Sequence, residues 1–193
     1  MPKRNPHSQG YTLFELIIVI GIIGVLSVAA LTGIIKSQSI LKFRGAVKDT
    51  ANIIREARSA ALSNKKLTEI KSPSQYGAYI ETNGTITIFA DMLGEGEYNM
   101  GEEFNTYTLP DTYTYEFLNL DPASPSEITL FYEPTTAKFS MNEKLAANEM
   151  YAAIKIYEGT KDAPTRESYI VLFKNAGSPE NFTSIKEIPG ENQ

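Results

Sequence analysis

An uncharged, strongly apolar run of 20 residues stands near the start of the chain, at 16–35. It reads LIIVIGIIGVLSVAALTGII and contains no proline. As an α-helix the run would be about 30 Å long, which is enough to cross the hydrocarbon core of a bilayer. Its glycines, Gly21, Gly24 and Gly33, are tolerated in membrane helices far better than in soluble ones. The run therefore predicts a membrane-spanning helix rather than the buried core helix of a soluble protein.

The ten residues that begin the chain, MPKRNPHSQG, are polar and hold two prolines, which oppose a helix. They are interpreted as a leader that is removed. The leader carries Lys3 and Arg4, and basic residues before a membrane span favour a cytoplasmic N-terminus with the remainder exported. The asymmetry is reduced by the basic residues that follow the run: Lys36, Lys42 and Arg44.

A single carboxylate, Glu15, stands directly before the apolar run. An unpaired acid drawn toward the centre of a membrane costs up to about 3 kcal/mol, so Glu15 needs a partner. A cut between Gly10 and Tyr11 would place a new α-amino group four residues away on the same helical face. The amino group of a neighbouring subunit would serve equally well. In the alternative interpretation, Glu15 lies at headgroup level and only complements the helix dipole.

The string GYTLFEL at 10–16, followed by the apolar run, resembles the class III signal of type IV pilins and type II secretion pseudopilins. This resemblance implies that a prepilin peptidase cuts after Gly10 and methylates Tyr11, and that Glu15 becomes the fifth mature residue. The first mature residue of the family is usually Phe, and Tyr11 keeps its aromatic character. The resemblance also implies that other pilin or pseudopilin subunits and an inner-membrane assembly platform are partners. No cofactor is predicted.

Two other interpretations of the N-terminus remain open. An ordinary secretory signal peptide could be cut near Ser27, Ala29 and Ala30, whose small side chains fit an A-x-A-like site. An acid that opens the apolar region, and a leader with two prolines, are atypical of that class. The other alternative is a signal anchor that is neither cut nor assembled.

After the membrane segment, apolar residues recur every three or four positions, which is typical of a helix with one buried face. The predicted stripe consists of Ile40, Phe43, Val47, Thr50, Ile54, Ala57 and Ala61. Charged residues take the opposite face, and no proline occurs between Pro6 and Pro73. One helix over 12–64 is predicted, roughly 80 Å long. Its membrane part covers 11–35, and its amphipathic continuation covers 36–64.

Short strand-like runs separated by turn residues follow the helix. The predicted strands are 76–81, 85–90, 113–119, 127–132, 138–141, 152–157 and 168–174. The pair Asn83-Gly84 predicts a hairpin turn, because both residues accept positive φ. The predicted fold is α+β, with the long N-terminal helix packed on an antiparallel β-sheet head in the lollipop outline of a pilin. The head is expected over 65–176 and a loose tail over 177–193.

Short phrases narrow the resemblance to minor pseudopilins of the GspH/FimT type. The helical segment IIREARSAALS at 53–63 contains the AR-x-x-A phrase of that group. Tyr76-Gly77, 88–91, Leu109-Pro110 and the phrase LFYEP at 130–134 follow in the order the group shows. The chain departs from the pattern at Thr135-Thr136, where a glycine is usual, and at 176–178, where Gly-Arg is more usual. The resemblance implies either a secretion pseudopilin or a minor pilin of a surface fibre.

The charge and composition disfavour several other functions. With 18 basic and 23 acidic residues the net charge is −5, and no basic run is dense enough to follow a nucleic acid backbone. Loss of the leader makes the charge −7, because it removes Lys3, Arg4 and no acid. Cysteine is absent, and the only histidine, His7, lies in the leader, so the mature chain has no histidine-based triad. A structural subunit is expected, not an enzyme.

The segment 91–103, DMLGEGEYNMGEE, places five acidic residues among glycines. Flexible oxygen-rich loops bind Ca²⁺, although the spacing matches no EF-hand. Asp91, Glu95 and Glu97 would be the first ligands to test. A solvated acidic loop is the commoner explanation, and no metal site is predicted.

Overall fold

A computed structural model describes residues 12–65, 72–121, 125–142, 144–145, 151–173 and 179–182. The helix α1 runs without interruption over Leu13–Leu62, within two residues of the predicted bounds at each end. The strands are β1 Gln75–Glu81, β2 Thr85–Asp91, β3 Glu103–Thr108, β4 Thr114–Leu118, β5 Leu120–Asp121, β6 Glu127–Tyr132, β7 Phe139–Met141, β8 Lys144–Leu145, β9 Tyr151–Thr160, β10 Ala163–Phe173 and β11 Glu180–Phe182. The predicted α+β fold is confirmed: one long helix that begins with an apolar segment, packed on antiparallel sheets.

The chain divides into two compact units, Met1–Lys42 and Phe43–Gln193. In the first unit, the apolar side chains of α1 are exposed along its length, from Leu13 (79%) to Leu41 (63%). Within the described residues, α1 is the one helix long and apolar enough to cross a membrane, and no residue of its most apolar stretch is buried. A core helix of a soluble protein would be mostly buried, so this segment has the surface that lipid or a neighbouring helix would cover.

In the second unit, the remainder of α1 packs on the sheets through one face. Six of the seven predicted stripe residues are buried, and Thr50, Ile54, Ala57 and Ala61 are fully so. Ile40, the seventh, belongs to the first unit and is 40% exposed. Burying side chains of the size of Ile54 stabilises a fold by about 1.5–3 kcal/mol each. The 3.6-residue period therefore identified the face of the helix that the head covers.

Every strand pair in the described head is antiparallel. A five-stranded sheet has the order β3-β2-β1-β6-β7, a four-stranded sheet the order β11-β10-β9-β4, and β5 pairs with β8. Both larger sheets contribute to the same core as α1, with Ile80 and Leu130 from one and Ile154 and Ile170 from the other. The helix and the two larger sheets therefore share one main core. A second, smaller cluster lies on β9 and β10 and consists of Tyr151, Ala153, Tyr169 and Val171.

Four short strands were not predicted: β3, β5, β8 and β11. The sequence of β3, EFNTYT, is polar because β3 is the edge of its sheet and most of its residues are exposed. The strand β11 pairs with β10 within the segment for which the sequence predicted a loose tail. The remainder of that tail, at 183–193, and the departure at 176–178 lie outside the described residues.

The turn between β1 and β2 is the predicted hairpin with a different conformation. Of the pair Asn83-Gly84, Gly84 alone has a positive φ, of 88°. The loop has three residues, 82–84, and the Gly84 N–H donates to the Glu81 carbonyl at 3.0 Å. The Asn83 side chain accepts a bond of 2.7 Å from the Thr85 N–H. This is the loop in which a residue in the left-handed region follows a type I turn, so only one position needs glycine.

The C-terminal end of α1 is closed by the backbone of Asn64, whose φ is 47°. The Lys65 N–H donates to the Ala60 carbonyl at 3.0 Å, and the Asn64 N–H to the Ala61 carbonyl at 3.1 Å. These two bonds form a Schellman motif, which satisfies carbonyls that the helix leaves free. The Ala61 carbonyl also accepts a bond of 3.0 Å from the Thr135 N–H. The loop after β6 is thereby attached to the helix end.

Thr135 occupies the left-handed region, with a φ of 65°. A β-branched residue is strained there, so Thr135→Gly is expected to stabilise the protein by about 1 kcal/mol. Thermal unfolding of the full-length protein in detergent measures the change. Thr136→Gly is the comparison, because Thr136 has no positive φ. It should lose stability, since it makes the unfolded chain more flexible and removes the hydroxyl that donates to Glu133 and accepts from the Lys138 N–H. Equal losses of stability in both variants would contradict the strained backbone conformation described for Thr135.

Candidate functional site: the N-terminus and the head loops

The first turn of α1 is capped by the side chains of Thr12 and Glu15. The Thr12 backbone N–H and its hydroxyl each donate to Glu15 Oε2 at 3.0 Å. In return the Glu15 N–H donates to the Thr12 hydroxyl at 3.3 Å. This reciprocal arrangement is a capping box, in which two helix N–H groups that lack helical partners are satisfied. The T-x-x-E spacing is the sequence signal for it, and the sequence analysis missed it.

The capping box limits what Glu15 can do but leaves part of its carboxylate free. Both bonds end on Oε2, and within the described residues no hydrogen bond ends on Oε1. Glu15 is exposed, so Oε1 is accessible to a further donor. Capping of the helix and pairing with an amino group are therefore compatible roles. Gly10 and Tyr11 lie outside the described residues.

The acidic loop at 91–103 uses several of its carboxylates to bind its own backbone. Asp91, which is buried, accepts bonds from the N–H groups of Leu93 at 3.1 Å, Gly94 at 2.6 Å and Gly96 at 3.0 Å. Glu102, also buried, accepts from Met92 at 2.8 Å and Asn99 at 3.3 Å. Where the structure describes the chain, no three acidic or histidine side chains are grouped to hold a metal. The carboxylate of Asp91, the first calcium ligand suggested from the sequence, therefore holds the backbone of its own loop.

The helical phrase at 53–63 fastens α1 to the rest of the head. Arg55 donates to the Pro179 carbonyl at 2.8 Å, beside β11. The Glu56 carboxylate accepts bonds from Tyr107 Oη at 2.7 Å and Asn105 Nδ2 at 3.0 Å, both on the edge strand β3. The bond to Glu56 raises the pKa of the Tyr107 phenol, because loss of its proton would leave two facing negative charges. Arg55 and Glu56 therefore bind other segments of the head.

Gly77 of the Tyr76-Gly77 phrase lies where the sheet has no room for a side chain. A Cβ at this position would be 2.4 Å from the Phe89 ring and 2.8 Å from the Leu130 carbonyl oxygen. Phe89 is fully buried and packs edge-on against Phe131, with ring centroids 5.9 Å apart. The phrase used to narrow the resemblance is thus explained by packing within the five-stranded sheet.

Comparison with known protein families finds one match at the N-terminus. The profile described as the prokaryotic N-terminal methylation motif matches residues 5–31. This match supports a type IV pilin-like protein, for which prepilin peptidase processing and assembly with other pilin subunits are implied. It indicates a structural subunit rather than an enzyme family, and with the apolar helix it fits a single-pass membrane anchor. No curated protein and no solved structure matches the chain.

Proposed function

We propose that the protein is a minor pseudopilin of a type II secretion system, a filament subunit that takes part in protein export. The observation that carries the filament-subunit part of this proposal is the methylation motif at 5–31, which includes the start of the exposed apolar helix, with Glu15 in its first turn. A signal anchor needs the apolar helix alone. In a filament subunit, by contrast, the carboxylate at the start of the helix can pair with the amino terminus of a neighbouring subunit.

The mechanism is assembly. Prepilin peptidase cuts after Gly10 and methylates Tyr11, and the subunit waits in the inner membrane with its head exported. The assembly platform then moves the helix from lipid into a bundle of like helices. In that bundle Glu15 Oε1 accepts a hydrogen bond from the amino group of a neighbour, while Oε2 caps its own helix. Because an unpaired acid in an apolar bundle is costly, only the register that pairs it is stable.

Membership in the secretion system is supported by the head. The helical phrase at 53–63, Tyr76-Gly77 and Leu109-Pro110 resemble the pattern of the GspH/FimT group. The second candidate is a minor pilin of a surface fibre that serves adhesion, motility or DNA uptake. An acidic chain disfavours direct DNA capture by this subunit.

Deletion of the gene, followed by complementation with Glu15→Ala, tests the proposal. Loss of the carboxylate leaves a neighbour's ammonium group unpaired in an apolar bundle. This costs about 3 kcal/mol and lowers the equilibrium constant of assembly roughly a hundredfold. Glu15→Ala is therefore expected to be processed and to stay in the membrane without restoring secretion. Asp111→Ala, which removes an exposed acid of the head, should restore it fully.

The same strains separate the two candidate functions. Quantitative proteomics of the culture medium reports export, and electron microscopy of the cell surface reports fibres. Loss of exported proteins with normal fibres supports the pseudopilin. Loss of fibres with normal export supports the surface pilin, and a deletion that changes neither contradicts a filament role.

A further inference from the structure

One charged residue of the helical phrase IIREARSAALS, Arg58, has no ion pair within the described residues. Its charged neighbours are bound, since Arg55 donates to the Pro179 carbonyl and Glu56 accepts from Tyr107. Arg58 is half-buried, and its Nε atom is buried without a hydrogen bond. Arginine side chains that leave the solvent are normally paired, because an unpaired charge is costly away from water. The helix therefore carries a cation for which the described fold supplies no counter-ion.

The hydroxyl of Tyr132, at the end of β6, is a second buried polar group without a hydrogen bond in the described part of the head. Tyr132 is fully buried. Its register partner on β1 is Tyr76, whose hydroxyl donates to the Lys65 carbonyl at 2.7 Å. Burial raises the pKa of the Tyr132 phenol, and the positive charge of Arg58 opposes this rise. The guanidinium is thus close enough to act on the phenol.

The contact between α1 and the end of β6 brings the two groups together. Ala61, one turn after Arg58, is fully buried in the same core as Tyr132. The Thr135 N–H donates to the Ala61 carbonyl at 3.0 Å, which fixes the loop after β6 against the helix. Glu133, the acid that follows Tyr132, forms an ion pair of 3.6 Å with a lysine of that loop. The nearest acid on this loop is therefore used elsewhere.

The chemistry of the two groups defines the ligand that would complete them. The Arg58 Nε–H can only donate a hydrogen bond, and the Tyr132 hydroxyl can donate as well. Both therefore need an acceptor. A carboxylate supplies two acceptor oxygens and the negative charge that balances the guanidinium, and charge-assisted bonds of this kind are roughly twice as strong as neutral ones. Water would supply an acceptor without the charge.

We propose that Arg58 and Tyr132 form a binding site for a carboxylate. The Arg58 guanidinium pairs with the charge, and the Tyr132 hydroxyl donates a hydrogen bond to one of the oxygens. The carboxylate comes either from an acidic side chain of a neighbouring protein or from a small free acid. The site is independent of the filament role, because one copy of the chain is enough to form it.

Sodium acetate is the probe, and the melting temperature of the full-length protein in detergent is the measurement. About 0.2 M sodium acetate should raise the melting temperature of the wild type by about 3 °C over sodium chloride of equal concentration. Arg58→Met keeps an apolar stem without the charge and should lose this difference. Tyr132→Phe removes the hydroxyl alone and should lose part of it. Arg55→Met is the matched control, because Arg55 binds a backbone carbonyl, and it should keep the full difference.

The stability of Arg58→Met in sodium chloride gives a second test. With no carboxylate bound, this variant removes an unpaired charge, so it should melt at or above the temperature of the wild type. The proposal is overturned if acetate raises the melting temperatures of the wild type and Arg58→Met equally, as it would if the site held water alone. A loss of several degrees by Arg58→Met in chloride also overturns it, because the chain itself would then already neutralise Arg58.

A cross-link distinguishes the two sources of the carboxylate. Arg58→Lys keeps a cation at the site, and a carbodiimide joins the new amine to a carboxylate in contact with it. Mass spectrometry of treated cell membranes then locates the linked residue. A link to an acid of a second protein molecule identifies a neighbouring protein as the source, and an acetate response without any link assigns the site to a free acid. A link within the same molecule contradicts the proposal.

Discussion

Gly77→Ala is expected to lower the free energy of unfolding of the head by about 3 kcal/mol, the upper end of what an overpacked core loses. The added methyl group would stand 2.4 Å from two atoms of the Phe89 ring and 2.8 Å from the Leu130 carbonyl oxygen. The ring cannot turn away, because Phe131 and Tyr98 pack against it. The carbonyl belongs to the β6 backbone, which pairs with β1 on both sides of Gly77. The clash therefore forces strands apart.

Denaturant unfolding of the full-length protein in detergent, followed by circular dichroism, measures this loss. Gly45→Ala is the matched control, since a Cβ at position 45 meets no atom within 4 Å. Alanine is a better helix former than glycine by about 1 kcal/mol, so this control should be equally or more stable. Adding Phe89→Leu to Gly77→Ala should recover part of the loss. A Gly77→Ala protein as stable as the wild type would contradict the packing described for β1.

The helix was predictable from the sequence because its signals are local. A run of apolar residues, the lack of proline and the recurrence of Phe43, Val47 and Ile54 every three or four positions all depend on neighbours along the chain. The buried face followed from that period. The capping box of Thr12 and Glu15 was equally local, and its T-x-x-E spacing was available in the sequence.

The rest of the head could not be predicted because it depends on contacts between distant segments. The edge strand β3 exists through its pairing with β2 and through Glu56, about 50 positions earlier, which binds Tyr107. Its polar sequence gives no alternating pattern. In the acidic loop, composition alone could not distinguish ligands for a cation from carboxylates that bind backbone N–H groups. The Asp91 carboxylate binds backbone N–H groups.

The second large effect is expected at the proposed cleavage site. Gly10→Ala should abolish removal of the leader, because the resemblance to the class III signal assigns the cut to the bond after this glycine. The uncut chain keeps Lys3 and Arg4, and Tyr11 then has no free amino group for Glu15 of a neighbour. Gly21→Ala is the control, because Gly21 lies within the apolar helix with no atom within 4 Å of an added Cβ. It should be processed as the wild type is.

Mass spectrometry of the N-terminus, after co-expression with a prepilin peptidase, tests the pilin-like assignment most directly. The wild type and Gly21→Ala are expected to yield an N-terminal peptide that begins at methylated Tyr11. Gly10→Ala is expected to yield only the uncut chain, which still carries the leader. A wild-type chain that stays uncut, or one that begins near Leu31, would contradict the assignment and leave a signal anchor or an ordinary exported β-rich domain.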